Sequence, residues 1–561
     1  MPPSCVRAAC RASILVLGCW AFSQAAVADV LIHDVRGYTW TQDGPERFEA
    51  LRFSPAGRVV AIGDAAVIAG DGAIERVDGQ GRTMLPGFID AHAHLLNLGH
   101  AARQVDLTGA TSLDEALGRV AEFAAAHPDT PWLLGRGWNQ ELWAGREWPR
   151  ASDLDGVPGG RPALLTRVDG HAAWANSRAM SLAGIDAGTT APAGGEILRT
   201  ASGAPSGVFI DAAIDLVERH IPPPTPAEDE AALLLALDEA ASVGLTSVHD
   251  AGVSAAHIAL YRRLADQGRL KLRIYAMLSG SEALGAFEAP ATYGDGRLLV
   301  RSVKLYADGA LGSRGAALLA AYSDSPGTRG LLFEDDATLR RLIETVNGRG
   351  FQASVHAIGD AANRQVLDAF EAVQGARPSP LRNRIEHAQV VRVADLERFR
   401  TLGVVASMQF THATSDMNMA EARVGAARMR GAYAWRSFVD QQTVLAAGSD
   451  FPVEDPNPFY GLHAAVTRRD RSGEPAGGWY PAQALTLDEA LRAFTLDAAW
   501  AAHQERELGS LEAGKWADFV LVDRDPFKIP AQTLWQVKVL ETWVAGERVY
   551  TAARTSAVRD R

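Results

Sequence analysis

The sequence predicts an α/β protein in which a parallel barrel is accompanied by a small β-domain drawn from both ends of the chain. Three observations predict it. From Leu85 to about Pro481, apolar runs of strand length alternate with helical stretches such as Glu228 to Val243 and Asp335 to Gly348, the rhythm of repeated βα units. Several of those runs close in polar residues: Phe88-Ile89-Asp90-Ala91-His92, Leu245 to Asp250, Phe351 to His356 and Val444 to Asp450. Barrel enzymes carry their chemistry at those carboxyl ends. Third, short alternating segments with glycine turns occupy both termini.

The elements follow in chain order. Arg7 and Arg11 precede an apolar stretch from Ile14 to Phe22 and then Ala26-Val27-Ala28, the charged, apolar and small-residue sequence of an export signal. Residues 1–28 are therefore expected to be a signal peptide, cut before Asp29, which makes the mature protein periplasmic or extracellular. The run is far shorter than the roughly 20 residues that span a bilayer, so no stable membrane span is expected. Lipid anchoring at Cys19 is the lesser alternative. Residues 29–84 read as the first part of the β-domain, with Arg58 to Gly63 as one strand. Residues 85–480 read as the barrel. Within it, about 132–215 is too long for a βα connection and reads as an insertion over the barrel mouth. Its Trp138, Trp143 and Trp148 line a pocket or, as the commoner case, pack in a core. Residues 481–561 hold a last helix from Thr486 to about Ala502 and further strands, Gly514 to Asp523 and Val537 to Tyr550.

Composition narrows the function. With 561 residues, 47% of them hydrophobic, the chain buries a large core. A net charge of -12, from 67 acidic and 55 basic residues, argues against a nucleic-acid partner. All 3 cysteines (Cys5, Cys10, Cys19) fall within the leader. The mature chain thus has no thiol for a disulfide, a nucleophile or a ligand, and a metal must be held by nitrogen and oxygen.

His92 and His94 stand two apart at the end of an apolar strand, which sends both side chains to one face. His356, His387 and Asp450 each close a later strand. Nitrogen and oxygen ligands converging on one mouth suit zinc or a similar borderline metal, and the imidazoles argue against calcium or magnesium. Glu386, preceding His387 on the opposite strand face, is read as structural. His249 and Asp250 orient a ligand or support one from behind.

These histidines, with Pro86 to His94, Gly448 to Val453 and Gly509 to Asp518, resemble the amidohydrolase superfamily over nearly the whole mature chain. Val168 to Ser177 and Val303 to Arg314 are similar to the amidohydrolase family 3 branch that includes N-substituted formamide deformylases. The resemblance implies a distorted TIM (β/α)8 barrel beside a composite β-sandwich and a centre of one or two divalent transition metal ions, zinc first. It implies that His92, His94 and Asp450 bind the more buried metal and His356 and His387 the second, with Lys304 bridging both if its amine is carboxylated. The alternative for Lys304 is an ion pair with Asp308.

Metal-activated hydroxide would then attack a small-molecule substrate at a carbon–nitrogen bond, an amide or N-substituted formamide, with Asp450 as proton shuttle. His171, in the insertion, either donates to the substrate carbonyl or packs against tryptophan. The same site admits a cyclic amide, a carbamate, an ester or deamination. A non-catalytic metal-binding scaffold is disfavoured because every ligand type is present. A serine hydrolase at Ser313 lacks the Gly-x-Ser-x-Gly elbow. A homo-oligomer stays open.

Overall fold

The computed structural model describes residues 28–553, apart from 42, 71–73, 168–171, 193–194 and 313. The expected signal peptide with its cysteines, His171 and Ser313 lie outside the described residues.

Eight strands form the barrel: β1 (Phe88–Ala93), β2 (Leu245–Val253), β3 (Arg273–Ser279), β4 (Leu298–Tyr306), β5 (Gln352–Ala357), β6 (Arg384–His387), β7 (Val405–Gln409) and β8 (Leu445–Gly448). Each runs parallel to the next in chain order. Burial on both faces explains why the sequence shows near-continuous apolar runs instead of alternation; every residue of β1, β6, β7 and β8 is buried. The outer helices start where their sequences provide caps. The helix Pro226–Ser242 has proline at its first turn and a reciprocal Thr225–Glu228 capping box, which satisfies otherwise orphaned backbone donors.

Between β8 and β1 no ladder forms among the described residues. The seam is closed by polar contacts instead. The Asp90 carboxylate accepts from the Ser449 hydroxyl at 2.6 Å and from the His92 backbone N–H at 3.1 Å. The Asp450 N–H donates to the His92 carbonyl at 2.7 Å, and the His94 N–H to the Phe451 carbonyl at 2.9 Å. Gly448 is required here, because a Cβ would stand 2.6 Å from the His92 backbone nitrogen.

Strands from both chain ends share one eight-stranded sheet. The join is Phe519–Val522, antiparallel to Ile74–Pro86. A buried ion pair, Arg273 Nε to Asp518 at 2.7 Å, ties that sheet to the base of β3. Among the described residues no helix is long and apolar enough to cross a membrane.

The inserted unit has its own six-stranded sheet, from Val105 to Asp211, and so begins well before the expected residue 132. Its first strand is only Val105–Asp106, pairing with Gly135 and Arg136, and its amphipathic helix Leu113–Ala126 is indistinguishable in sequence from a barrel helix. Trp138 and Trp143 are core residues of this unit, packed with Trp174, whereas Trp148 is 40% exposed. The indole N–H of Trp138 donates to the Leu165 carbonyl at 2.6 Å. Trp138→Ala is expected to cost the inserted unit about 3–5 kcal/mol, read as a lower urea midpoint for its tryptophan fluorescence transition; an unchanged midpoint would contradict the packing role.

Candidate metal centre

The carboxyl ends of β1, β4, β5, β6 and β8 bring the expected residues to one mouth. Imidazole rings run in a chain from His356 to His387 (centroids 4.6 Å apart), to His92 (4.9 Å) and to His94 (5.6 Å). Asp450 Oδ1 lies 3.2 Å from His94 Nε2 and 3.6 Å from His92 Nε2. Lys304 Nζ stands 3.1 Å from His92 Nε2. The tightest set is His92, His387 and Asp450, whose ligand atoms all fall within 4.8 Å of one another.

Three of these imidazoles are held so that one nitrogen is left facing the mouth. His92 Nδ1 is 2.5 Å from Glu386 Oε2, His94 Nδ1 is 2.9 Å from the Ala251 carbonyl, and His387 Nδ1 is 2.8 Å from Gln409 Oε1. Each partner atom only accepts, so each Nδ1 carries a proton, and in the neutral ring Nε2 keeps its lone pair. Such outer partners fix both the tautomer and the direction of a ligand. Two further atoms suit a cation: His356 Nε2 and Asp450 Oδ1 are buried without a hydrogen-bond partner among the described residues, which is costly unless something else satisfies them. The donor set of imidazole nitrogens and a carboxylate therefore fits a divalent transition metal.

Electrostatics agree with ligation by neutral imidazole. Burial, with the Lys304 charge second, lowers His92 to about 4 and His356 to about 3. Burial also brings the Lys304 ammonium down to about 8. Burial pushes Glu386 up, but the Arg384 guanidinium, the contact with His92 and the Lys304 charge together more than offset it and hold the carboxyl well below its usual range. Arg384 donates to both Glu386 oxygens at 2.8 and 3.0 Å. It also donates to the Ala91 carbonyl, to the Ser407 hydroxyl and to His249 Nδ1.

Several sequence expectations change. Lys304 is not paired with Asp308, whose carboxylate instead accepts the backbone N–H groups of Ala317, Ile358 and Gly359. Glu386 is no bystander, since it grips His92. The alternation argument fails because the strand ends in left-handed backbone, with φ 75° at His387 and 42° at Ala388, which brings both neighbours inward. Arg384 links His249 to the centre, and Asp250 holds the chain after His94 by accepting from the Leu95 N–H at 2.8 Å. His412, just beyond β7, was not anticipated. Its Nε2 lies 3.9 Å from Asp450 Oδ2.

A parallel barrel with buried imidazoles, a lysine and a carboxylate at its carboxyl-terminal mouth defines a metal-dependent hydrolase. The comparisons place it further. A model of the amidohydrolase family matches residues 75–550, and the chain belongs to that family. It is 32% identical to the YtcJ protein of Bacillus subtilis (strain 168) over 85% of this chain and 90% of that protein. It is 29% identical to an N-substituted formamide deformylase of Arthrobacter pascens over 87% and 93%. Among solved structures, an uncharacterized metal-dependent hydrolase from Pyrococcus furiosus is 29% identical, with a TM-score of 0.75 over 89% of this chain and 100% of that one.

Proposed function

We propose that this protein hydrolyses a small amide or N-substituted formamide with one or two divalent ions, zinc first, at the mouth formed by His92, His94, Lys304, His356, His387 and Asp450. The observation that carries the proposal is the shared orientation of three imidazoles whose Nδ1 atoms are all committed, leaving Nε2 lone pairs beside a buried carboxylate oxygen. Nitrogen and carboxylate donors without thiolate suit zinc. His92, His94 and Asp450 are assigned to one ion, and His356 with His387 to the other. A cation held there supplies a nucleophile from water near neutral pH and a Lewis acid for the carbonyl oxygen.

The chain's own groups do the rest. Asp450 takes the proton that water loses as it attacks the carbonyl carbon, and returns it to nitrogen as the C–N bond breaks; the products are a carboxylic acid and an amine. Glu386 and Gln409 keep His92 and His387 in the ligating tautomer. Lys304, drawn down to about 8 by burial, has a share of neutral amine near neutral pH. The neutral amine is the form that would combine with carbon dioxide, releasing a proton, to give a carbamate whose oxygens would serve as metal ligands. The same proposal puts this activity outside the cytoplasm, a reading supported by the export-signal pattern of residues 1–28.

The decisive test is a substrate screen of the metal-loaded protein across N-formyl, N-acyl, cyclic-amide, carbamate and ester compounds, with chelator controls. Chelator-sensitive amide cleavage is the expected result, and cleavage confined to esters would overturn the carbon–nitrogen assignment. Elemental analysis adds a second reading. Wild type is expected to bind about one to two equivalents of transition metal, and Lys304→Ala to release one ion before the other on stepwise chelation. An unchanged metal count and release profile in the variant would remove Lys304 from the ligand set.

A further inference from the structure

We propose that His412 is a substrate-binding residue whose Nε2–H holds the carbonyl oxygen of the scissile bond, on the side of Asp450 turned away from His92 and His94. The inference deepens the hydrolase reading above and rests on it.

The Asp450 carboxylate divides its surroundings. Oδ1 faces His94 and His92 at 3.2 and 3.6 Å, while Oδ2 faces His412 Nε2 at 3.9 Å. That separation is too long for a hydrogen bond, so His412 does not simply clamp the carboxylate. Nor does it join the set of mutually close ligand atoms, which comprises His92, His387 and Asp450. Its Nε2 is buried and has no hydrogen-bond partner among the described residues, a state that is unfavourable unless a ligand relieves it. The ring lies nearly parallel to that of His387, at 6.0 Å and 17°, and so borders the same mouth.

The position of this imidazole is built, not incidental. It sits on the short helix Phe410–Asp416, which is pinned on both sides to the loops that carry ligands. Ser415 donates to Glu454 at 2.6 Å, four residues beyond Asp450. Asp416 accepts from Gln389 Nε2, two residues beyond His387, and from the Tyr433 hydroxyl, both at 2.8 Å. These contacts engage the two nearby acidic side chains, Glu454 and Asp416, without using His412. What remains is an imidazole nitrogen beside the Asp450 carboxylate that has no hydrogen-bond partner among the described residues, and that is a donor in the Nε2–H tautomer the proposal requires.

Amide hydrolysis needs such a group. As water adds to the carbonyl carbon, negative charge gathers on the oxygen, and a preorganised donor in a water-poor site stabilises it. A donor next to Asp450 would hold the oxygen while the carboxylate serves the nitrogen.

The test compares wild type with His412→Ala and His412→Gln, all metal-loaded, on an amide that the wild type cleaves. His412→Ala is expected to lower kcat/KM by about 10²–10³ with metal content unchanged, and His412→Gln, which restores an N–H donor, to recover at least about tenfold of that loss. A phosphonamidate mimic of the tetrahedral centre, titrated calorimetrically, should bind at least about tenfold more weakly to His412→Ala than to wild type. Unchanged kinetics and unchanged mimic affinity would overturn the proposal. Loss of a metal ion from a folded variant would also overturn it, in favour of a ligand role. A wild type inert toward every amide would sink the carbon–nitrogen reading instead, and the mimic titration then decides His412 alone; no binding of the mimic to wild type counts against it. Melting curves identify an unfolded variant, in which case His412→Gln carries the comparison.

Discussion

Asp450→Asn is expected to turn over at least about a hundredfold more slowly than the parent protein, within the 10²–10⁴ range associated with a positioned acid–base group. The substitution keeps the size of the side chain and removes both its capacity to take a proton and the negative charge it offers a metal, so turnover is compared only at equal metal content. It also suits the backbone. Asp450 has φ 63°, a left-handed conformation that asparagine tolerates well, so the loop and the 2.7 Å bond from its N–H to the His92 carbonyl should survive. The measurement is kcat per equivalent of bound metal, alongside a melting curve. Near-normal turnover in a folded, metal-loaded variant would remove the shuttle role from Asp450.

The second large effect is expected from Glu386→Ala, and it falls on stability and metal binding together. Glu386 and Arg384 are both fully buried, and the guanidinium gives two of its bonds to this carboxylate. Deleting the acid strands a charge in the interior, a change that typically costs about 3–5 kcal/mol. The same deletion frees His92 Nδ1, so the ring loses the contact that sets its tautomer, and metal affinity should drop about 10–100-fold. Urea denaturation and competition against a chromogenic chelator read the two effects separately. A variant as stable as the parent would show that the Arg384 charge is satisfied in some other way, and unchanged metal affinity would show that His92 needs no outer partner.

The barrel was legible because parallel strands buried on both faces leave uninterrupted apolar runs, and because each ligand type stands where such a run stops. His92, His94, His356, His387 and Asp450 all obey that rule and meet at one mouth in the structure. The rule fails where the backbone departs from plain strand geometry. Glu386 reads as facing away from His387 only if strand alternation continues, and the positive φ at His387 ends it. His412 is invisible for a different reason. It lies in the first turn of a short helix after Gln409, not at a strand end, and a lone histidine in a polar segment carries no periodic signal. The inserted unit's start at Val105 was equally hidden, since a two-residue strand has too few positions to show a pattern.

The polar seam between β8 and β1 makes the weakest closure of the barrel and its reactive machinery one and the same stretch of chain. Seven of the eight joins between staves are laced along their length, while the eighth is fastened by a few clasps around Asp90, His92 and Asp450. Fraying that begins there disarms the molecule while most of its framework still stands. A warmed sample should accordingly fall silent as a catalyst before spectroscopy registers the collapse of its helices.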